Sequence, residues 1–496
     1  MDIANPHTGS ELESEAELES SMAMADSLSD EATAGRQTSE MLDGKILPTL
    51  LRLSAPTVAL MSLQGIVSAG ETAFVGRLGL SALAGASLSF PLVMLMTTLS
   101  GGAYGGGVAS AVARALGRGQ TAEAGEVAGT ALTLSGLIGL VYMAAMQLGG
   151  PVLYRAMGAS GPSLEAAVAY SQVLFLGTVP FWLFGAAASI LRGGGNAAYP
   201  ALVGTVGGLV TLAVSPVLIF GAGPVPALGI TGAASAIALY NVAAMVVLLR
   251  ALRTGRSAAV VTLARLVPRR AHVAAILRVA IPSAVGTLLT NTTVLVLTTL
   301  VVPYGETATA GYGAGGRLEY LMIPLVFGIG SALVPLVAAN DGAGQFQRVQ
   351  QFTRAGACLA TAACGGAGFL VALWPDLWMG LFSTDSAVLA TGRAYLARVG
   401  PAYPFLGLGL SLYFAAQGRG RTVPPLLATS ARLAVVSIVG TTGTVFFHWK
   451  LESLFLLMSA GLMIYALTMV AVMRRELGLA SETSPGELLP AASTSG

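Results

Sequence analysis

The sequence predicts an all-α polytopic membrane protein: twelve transmembrane helices in two pseudo-symmetric six-helix bundles. Three observations predict it. Among 496 residues, 54% are hydrophobic and only 10% are charged, with a mean hydropathy of +0.74. Apolar runs of about 20 residues recur twelve times, and ~20 helical residues at 1.5 Å each cross a ~30 Å hydrocarbon core. The second half also repeats the first at an offset of 224 to 226 residues. Period-2 alternation is absent, which argues against a transmembrane barrel. The 63 glycines suit close helix approach in lipid.

In chain order, residues 1–47 read as a disordered acidic tail, with eleven acids in the first 43 positions against one basic residue, Arg36. That tail has neither the basic nor the apolar region of a signal peptide, so the first helix is expected to act as the membrane signal. Residues 48–250 form a first six-helix lobe, with runs at 50–76, 81–107, 126–148, 165–190, 198–222 and 227–250. The linker 251–277 follows. From Arg250 to Arg278, both counted, there are seven arginines and no acids, so the positive-inside rule makes this segment cytoplasmic and, with an even span count, both termini too. Residues 278–475 form the second lobe, with runs at 279–303, 311–339, 354–374, 388–416, 423–447 and 451–473, and 476–496 read as a disordered tail.

The repeat is carried by short matches in order. "LRLSAPT" (51–57) pairs with "LRVAIPS" (277–283), "GLSALAG" (79–85) with "GETATAG" (305–311), and "GRGQ" (117–120) with "GAGQ" (342–345). Tyr170 falls opposite Tyr395, and the Pro180–Phe181 pair opposite Pro404–Phe405. Six spans per half give both halves the same topology, related by an axis along the membrane normal, so two lobes can rock about a shared site.

The runs "ETAFVGRLGLSALAGASLSFP" (71–91), "ARALGRGQ" (113–120), "ILRGGGNAAYPALVG" (190–204), "PVLIFGAGPVPALGITGAASA" (216–236) and "GRLEYLMIPLVFGIGSALVPLVAANDGAGQ" (316–345) together resemble the multidrug and toxic compound extrusion (MATE) family over about residues 48 to 475. The resemblance implies two bundles around a V-shaped cavity. It also implies export of large, often cationic or amphipathic compounds by antiport against H+ or Na+. Small organic substrates and the lipid bilayer are the expected partners, with no nucleic acid, no cofactor beyond the coupling ion, and a monomeric state. Arginine outnumbers lysine 24 to 2, which suggests a GC-rich genome and a bacterial inner membrane.

Glu71 is the only charge between Leu53 and Val75. A charged residue at a helix centre in lipid costs ~2.5–3.5 kcal/mol, and such residues mark ion or proton paths. By position alone it is either an interfacial carboxylate snorkelling or pairing with Arg77, or a coupling group. The resemblance implies coupling, since many members place an acid here. Burial disfavours the charged form of a carboxyl and an approaching cation favours it, so proton and cationic substrate would compete. Where some members carry Asn and Asp in the fifth helix, this chain has Thr211 and Ser215; in the second lobe the matching stretches supply only neutral groups such as Asn291 and Gln417. These four form the expected secondary polar network, and its lack of charge favours H+ over Na+.

Arg317 and Glu319 in "GRLEY" are candidate gating or cavity charges, or an outer-leaflet charge set; spaced by two, they do not share a helix face. Arg432 either snorkels or sits at the cavity floor. Phe90, Phe181, Trp182 and Tyr413 are candidate substrate contacts, against the plainer role of helix packing. No zinc-like cluster or P-loop occurs, and Cys358 and Cys364 have neither metal nor disulfide spacing, so no metal site and no enzyme activity are expected. A lipid-linked precursor flippase of the same superfamily and a Na+-coupled drug antiporter are the alternatives to a proton-coupled exporter.

Overall fold

The apolar runs become helices because a chain in lipid must satisfy its backbone polar groups internally. The structure, a computed structural model, describes residues 35–474. The first lobe contains α1 (Ile46–Gly76), α2 (Leu80–Gly117), α3 (Thr121–Ala156), α4 (Gly161–Leu176), α5 (Thr178–Gly193), α6 (Ala198–Phe220) and α7 (Ile230–Arg253). The second contains α8 (Arg270–Val301), α9 (Glu306–Gly342), α10 (Phe346–Leu373), α11 (Ser386–Val399), α12 (Tyr403–Gly418), α13 (Val423–Val445) and α14 (Leu451–Val472). Helices α4 and α5 bend by 46° around Gly177 and are long and apolar enough only as a pair, whereas α11 with α12 passes as one continuous candidate span. Among the described residues eleven helical segments pass for spans on length and hydropathy, and twelve when the bent pair is counted as one.

The composition assigns residues 35–43 to the disordered tail, and here the structure differs. They form a helix whose Met41 is 1% exposed. The Met41 carbonyl accepts from Asn340 Nδ2 at 3.0 Å and that of Gly44 from Arg348 Nη2 at 2.7 Å, while Glu40 pairs with Arg52. The two captured carbonyls tie this segment to the second lobe and the Glu40–Arg52 pair ties it to the first, at their arginine-rich end. The rest of the expected tails, 1–34 and 476–496, lies outside the described residues.

Glycine sets how closely the lobes approach. Helix α2 passes through a π-helical turn, Thr98–Tyr104, and then presents three consecutive glycines to three different neighbours: Gly105 to Ser189 of α5, Gly106 to Gln417 of α12, and Gly107 to the Ile276 carbonyl of α8. Further along, α2 crosses α9 reciprocally. A methyl added at Gly117 would run into the Ala339 carbonyl, and one added at Gly342 into the Arg114 carbonyl. Gly117 and Gly342 are the same position of the repeat, so the crossing lies on the pseudo-twofold axis. The Leu80–Thr97 half of α2 instead packs on α4 within its own lobe. The lobes therefore join at the arginine-rich end and part towards the other, as a V.

Overpacking a seam of this kind costs typically ~1–3 kcal/mol. Gly117→Val and Gly342→Val should each lower thermal stability or spring the lobes apart, read as a longer distance between spin labels on the ends of α2 and α9. Unchanged distances together with unchanged stability would count against the crossing.

Candidate functional site: two embedded carboxylates and a closed seam

Helix α1 carries Glu71 half-buried against α6, where the helices come close because Gly70 faces Leu212. Ser215 is fully buried and donates its hydroxyl to Glu71 Oε2 at 2.8 Å. The other oxygen, Oε1, is buried without a hydrogen-bond partner among the described residues. Arg77 is exposed and makes no ion pair with Glu71. Thr211 is buried nearby, but its hydroxyl bonds the Gly207 carbonyl of its own helix at 2.8 Å. Tyr170 of α4 lies within electrostatic range of Glu71.

The second lobe holds its acid on a different helix. Glu319 of α9 accepts a hydrogen bond from the Tyr395 hydroxyl at 3.3 Å, and Tyr395 in turn is 3.4 Å from the Tyr403 hydroxyl. Arg432 of α13 is 8% exposed and within electrostatic range of Glu319, yet forms no ion pair with it; its Nε has no hydrogen-bond partner among the described residues. Arg317 is exposed and lies 5.3 Å from the Phe382 ring centroid, apart from Glu319. Of the tyrosines paired by the repeat, Tyr395 thus hydrogen-bonds its lobe's embedded carboxylate and Tyr170 lies within electrostatic range of the other, although the carboxylates themselves are not repeat partners.

The expected four-residue polar network does not assemble. Asn291 is exposed and its amide donates to the Thr287 carbonyl of its own helix at 3.1 Å. Gln417 is buried in the seam between lobes, its Nε2 lying 2.8 Å from the Tyr413 hydroxyl, 2.9 Å from the Ser283 hydroxyl and 3.2 Å from the Gly102 carbonyl. Among the candidate aromatic contacts only Phe90 is exposed. Trp182 is 3% exposed and packs edge-on against Tyr104, Phe181 packs on the same core, and Tyr413 packs on Phe414. Trp182 is a packing residue in this conformation.

Sequence reasoning missed Asp341. This carboxylate of α9 faces Arg114 of the first lobe at 3.6 Å and Arg419 of its own lobe at 3.1 Å. Arg114 also donates to the Gly418 carbonyl at 2.6 Å and to Ser110 at 3.1 Å, and Ser110 reaches the same carbonyl at 3.1 Å. The signal was present in the aligned "GRGQ" and "GAGQ", which mark the helix ends that cross.

Two repeated six-helix lobes closed at one end around a cleft, each with an embedded acid, define a two-lobed membrane transporter. The MatE family model matches residues 56–217 and 282–442, once in each lobe and over more than half of the chain. The chain belongs to the MATE family, whose members are transporters of multidrug and toxic compounds and not enzymes. It is 27% identical over 408 residues to the FAD transporter of Shewanella oneidensis, covering 80% of this chain and 88% of that one. It is 24% identical to the probable multidrug resistance protein NorM of Thermotoga maritima, covering 80% and 86%. Its fold matches the outward-facing conformation of a multidrug resistance MATE family transporter of the MOP superfamily, with a TM-score of 0.81 at 24% identity over 89% of this chain and 98% of that one.

Asp341→Asn should loosen the seam by removing a charge shared between two arginines. With Cys358 and Cys364 replaced by serine, Ser110→Cys should then react several-fold faster with a membrane-impermeant thiol reagent than in the otherwise unchanged chain. An equal rate would show that Asp341 does not hold the lobes together.

Proposed function

We propose that this transporter exports organic compounds, cationic or amphipathic, by antiport with H+, and that Glu71 is the coupling carboxylate. The arginine-rich end, with both termini, faces the cytoplasm on this reading, as the positive-inside rule directs. The observation that carries the proposal is the incomplete solvation of Glu71, which among the described residues has one hydrogen bond, from Ser215, and one buried oxygen with none. A buried carboxylate in that condition is costly, and either a proton or a nearby cation relieves the cost. Binding one therefore displaces the other, and exchange across the two end states is antiport.

The same geometry speaks against Na+ at this position. Hard cations collect several oxygen ligands, whereas Glu71 and Ser215 offer three oxygens between them and carry the one charge at the position. In everted vesicles, an imposed ΔpH should drive uptake of a cationic dye, and a Na+ gradient at constant pH should not. Glu71→Gln should reduce uptake to the level of vesicles without the protein. Ser215→Ala, which removes a hydrogen bond to a charged group of ~1.5–3 kcal/mol, should lower it about tenfold or more. Uptake driven by Na+ alone would overturn the proton assignment.

A second reading rests on Arg432. A guanidinium buried in a membrane lobe, with Glu319 in electrostatic range but no ion pair among the described residues, favours a substrate that brings its own oxyanion, and a relative at 27% identity is named for transporting FAD. If so, vesicles should take up FAD faster than the uncharged riboflavin, and Arg432→Gln should abolish that preference while leaving cationic dye transport intact. Equal rates for the two flavins would remove this reading.

A further inference from the structure

The linker does not hang free of the first lobe. Thr133 of α3 donates to the Leu266 carbonyl at 2.6 Å, Gly129 leaves room for the Arg265 carbonyl, and Arg265 is turned back to the Val260 carbonyl at 2.7 Å. Between this folded-back linker and helices α3, α5 and α7 lies a groove of about 230 Å³. Its walls are Leu132, Leu183, Leu249, Leu252 and Leu266, and its one charged lining residue is Arg253.

Position and charge together say what suits it. Helix α7 has 24 residues, so at 1.5 Å each it is ~36 Å long and slightly exceeds a ~30 Å hydrocarbon core. Its last turn, Arg250 to Arg253, therefore stands at the level of the lipid head groups. Residues three apart share a helix face. Both arginines are exposed, and neither side chain makes a hydrogen bond or ion pair among the described residues. The linker from Arg250 to Arg278 holds no acid to neutralise them. A leucine-walled groove with the Arg253 guanidinium in its lining, and Arg250 on the surface three residues before it, is matched at the membrane boundary to an amphiphile with an anionic head.

We propose that this groove binds one anionic phospholipid, its chain against the leucines and its phosphate on Arg250 and Arg253. The bound lipid bridges the linker to the lobe it folds against, independently of the coupling site. The test uses the full chain purified in a neutral detergent and titrated with dioleoylphosphatidylglycerol, dioleoylphosphatidylcholine or inorganic phosphate, read by thermal unfolding and by native mass spectrometry. One phosphatidylglycerol should be retained, with an apparent Kd at least tenfold below that of phosphatidylcholine. The Arg250→Gln/Arg253→Gln variant should lose the preference, and Leu183→Trp, which fills the groove, should lose retention of the lipid itself. The arginine positions are exposed, so their variant keeps the test decisive if Leu183→Trp does not fold. Equal affinity for phosphatidylcholine, equal stabilisation by inorganic phosphate, or an unchanged preference in the arginine variant would each overturn the proposal.

Discussion

The reciprocal crossing of α2 and α9 is the contact on which the rest of the arrangement depends. In lipid there is no hydrophobic drive to push two helices together, so approach depends on small residues and on packing at the crossing point. Gly117 against the Ala339 carbonyl and Gly342 against the Arg114 carbonyl bring the two backbones into contact. Everything else at that end is built on this proximity: Arg114 reaching Gly418 and Asp341, Gln417 reaching the Gly102 carbonyl, and the 35–43 helix lying against Asn340 and Arg348. Because these contacts gather at one end, the other end of the V is left open.

Duplication explains the scaffold but not the charges. A methyl at Gly85 would collide with Ala166 and Ala167, and one at Gly311, its repeat partner, would collide with Thr391. The same turn of the same helix is thus kept small in both lobes for the same reason. The acids break this rule. At an offset of 226 the partner of Glu71 is Leu297, which is 5% exposed in the second-lobe core, while Glu319 lies on the second helix of its lobe. What the lobes share is the tyrosine, Tyr170 or Tyr395, beside which each acid is placed.

The helices were legible because lipid enforces them: spans of the required length and hydropathy, bounded by charge and glycine, leave little choice of structure. The repeat was legible for the same reason that it is structural, since "GRGQ" and "GAGQ" mark the crossing itself. Side-chain pairings were less so. Asn291 looks like a free polar group in sequence, but its own helix offers the Thr287 carbonyl one turn back, and a local acceptor wins over a distant one. Gln417 looks like part of a lobe-two network, yet one partner is a first-lobe backbone carbonyl, which has no side-chain signature. Asp341 reads as an ordinary charge at a helix end until α2 and α9 are known to cross. Met41 was hidden inside an acidic tract, where composition averages over the few apolar residues, Met41 and Leu42, that pack the segment on the core.

The closed seam and the embedded acid act on the same coordinate only if the lobes transmit one to the other, and the helices supply the means. Glu71 lies on α1, which packs on α6 in its own lobe and on α9 of the other. Helix α9 in turn ends in Asp341 and Gly342 at the crossing. A change in how tightly α1 holds α6 at the Glu71–Ser215 contact therefore reaches α9 through one helix interface, without any chain of charged residues between the two sites. Interfaces of this kind settle into discrete packings rather than deforming continuously. On the proposed reading, exchanging a proton for a cation at Glu71 selects between two packings of α1, and the crossing of α2 with α9 is the place where that selection becomes an open or a closed end.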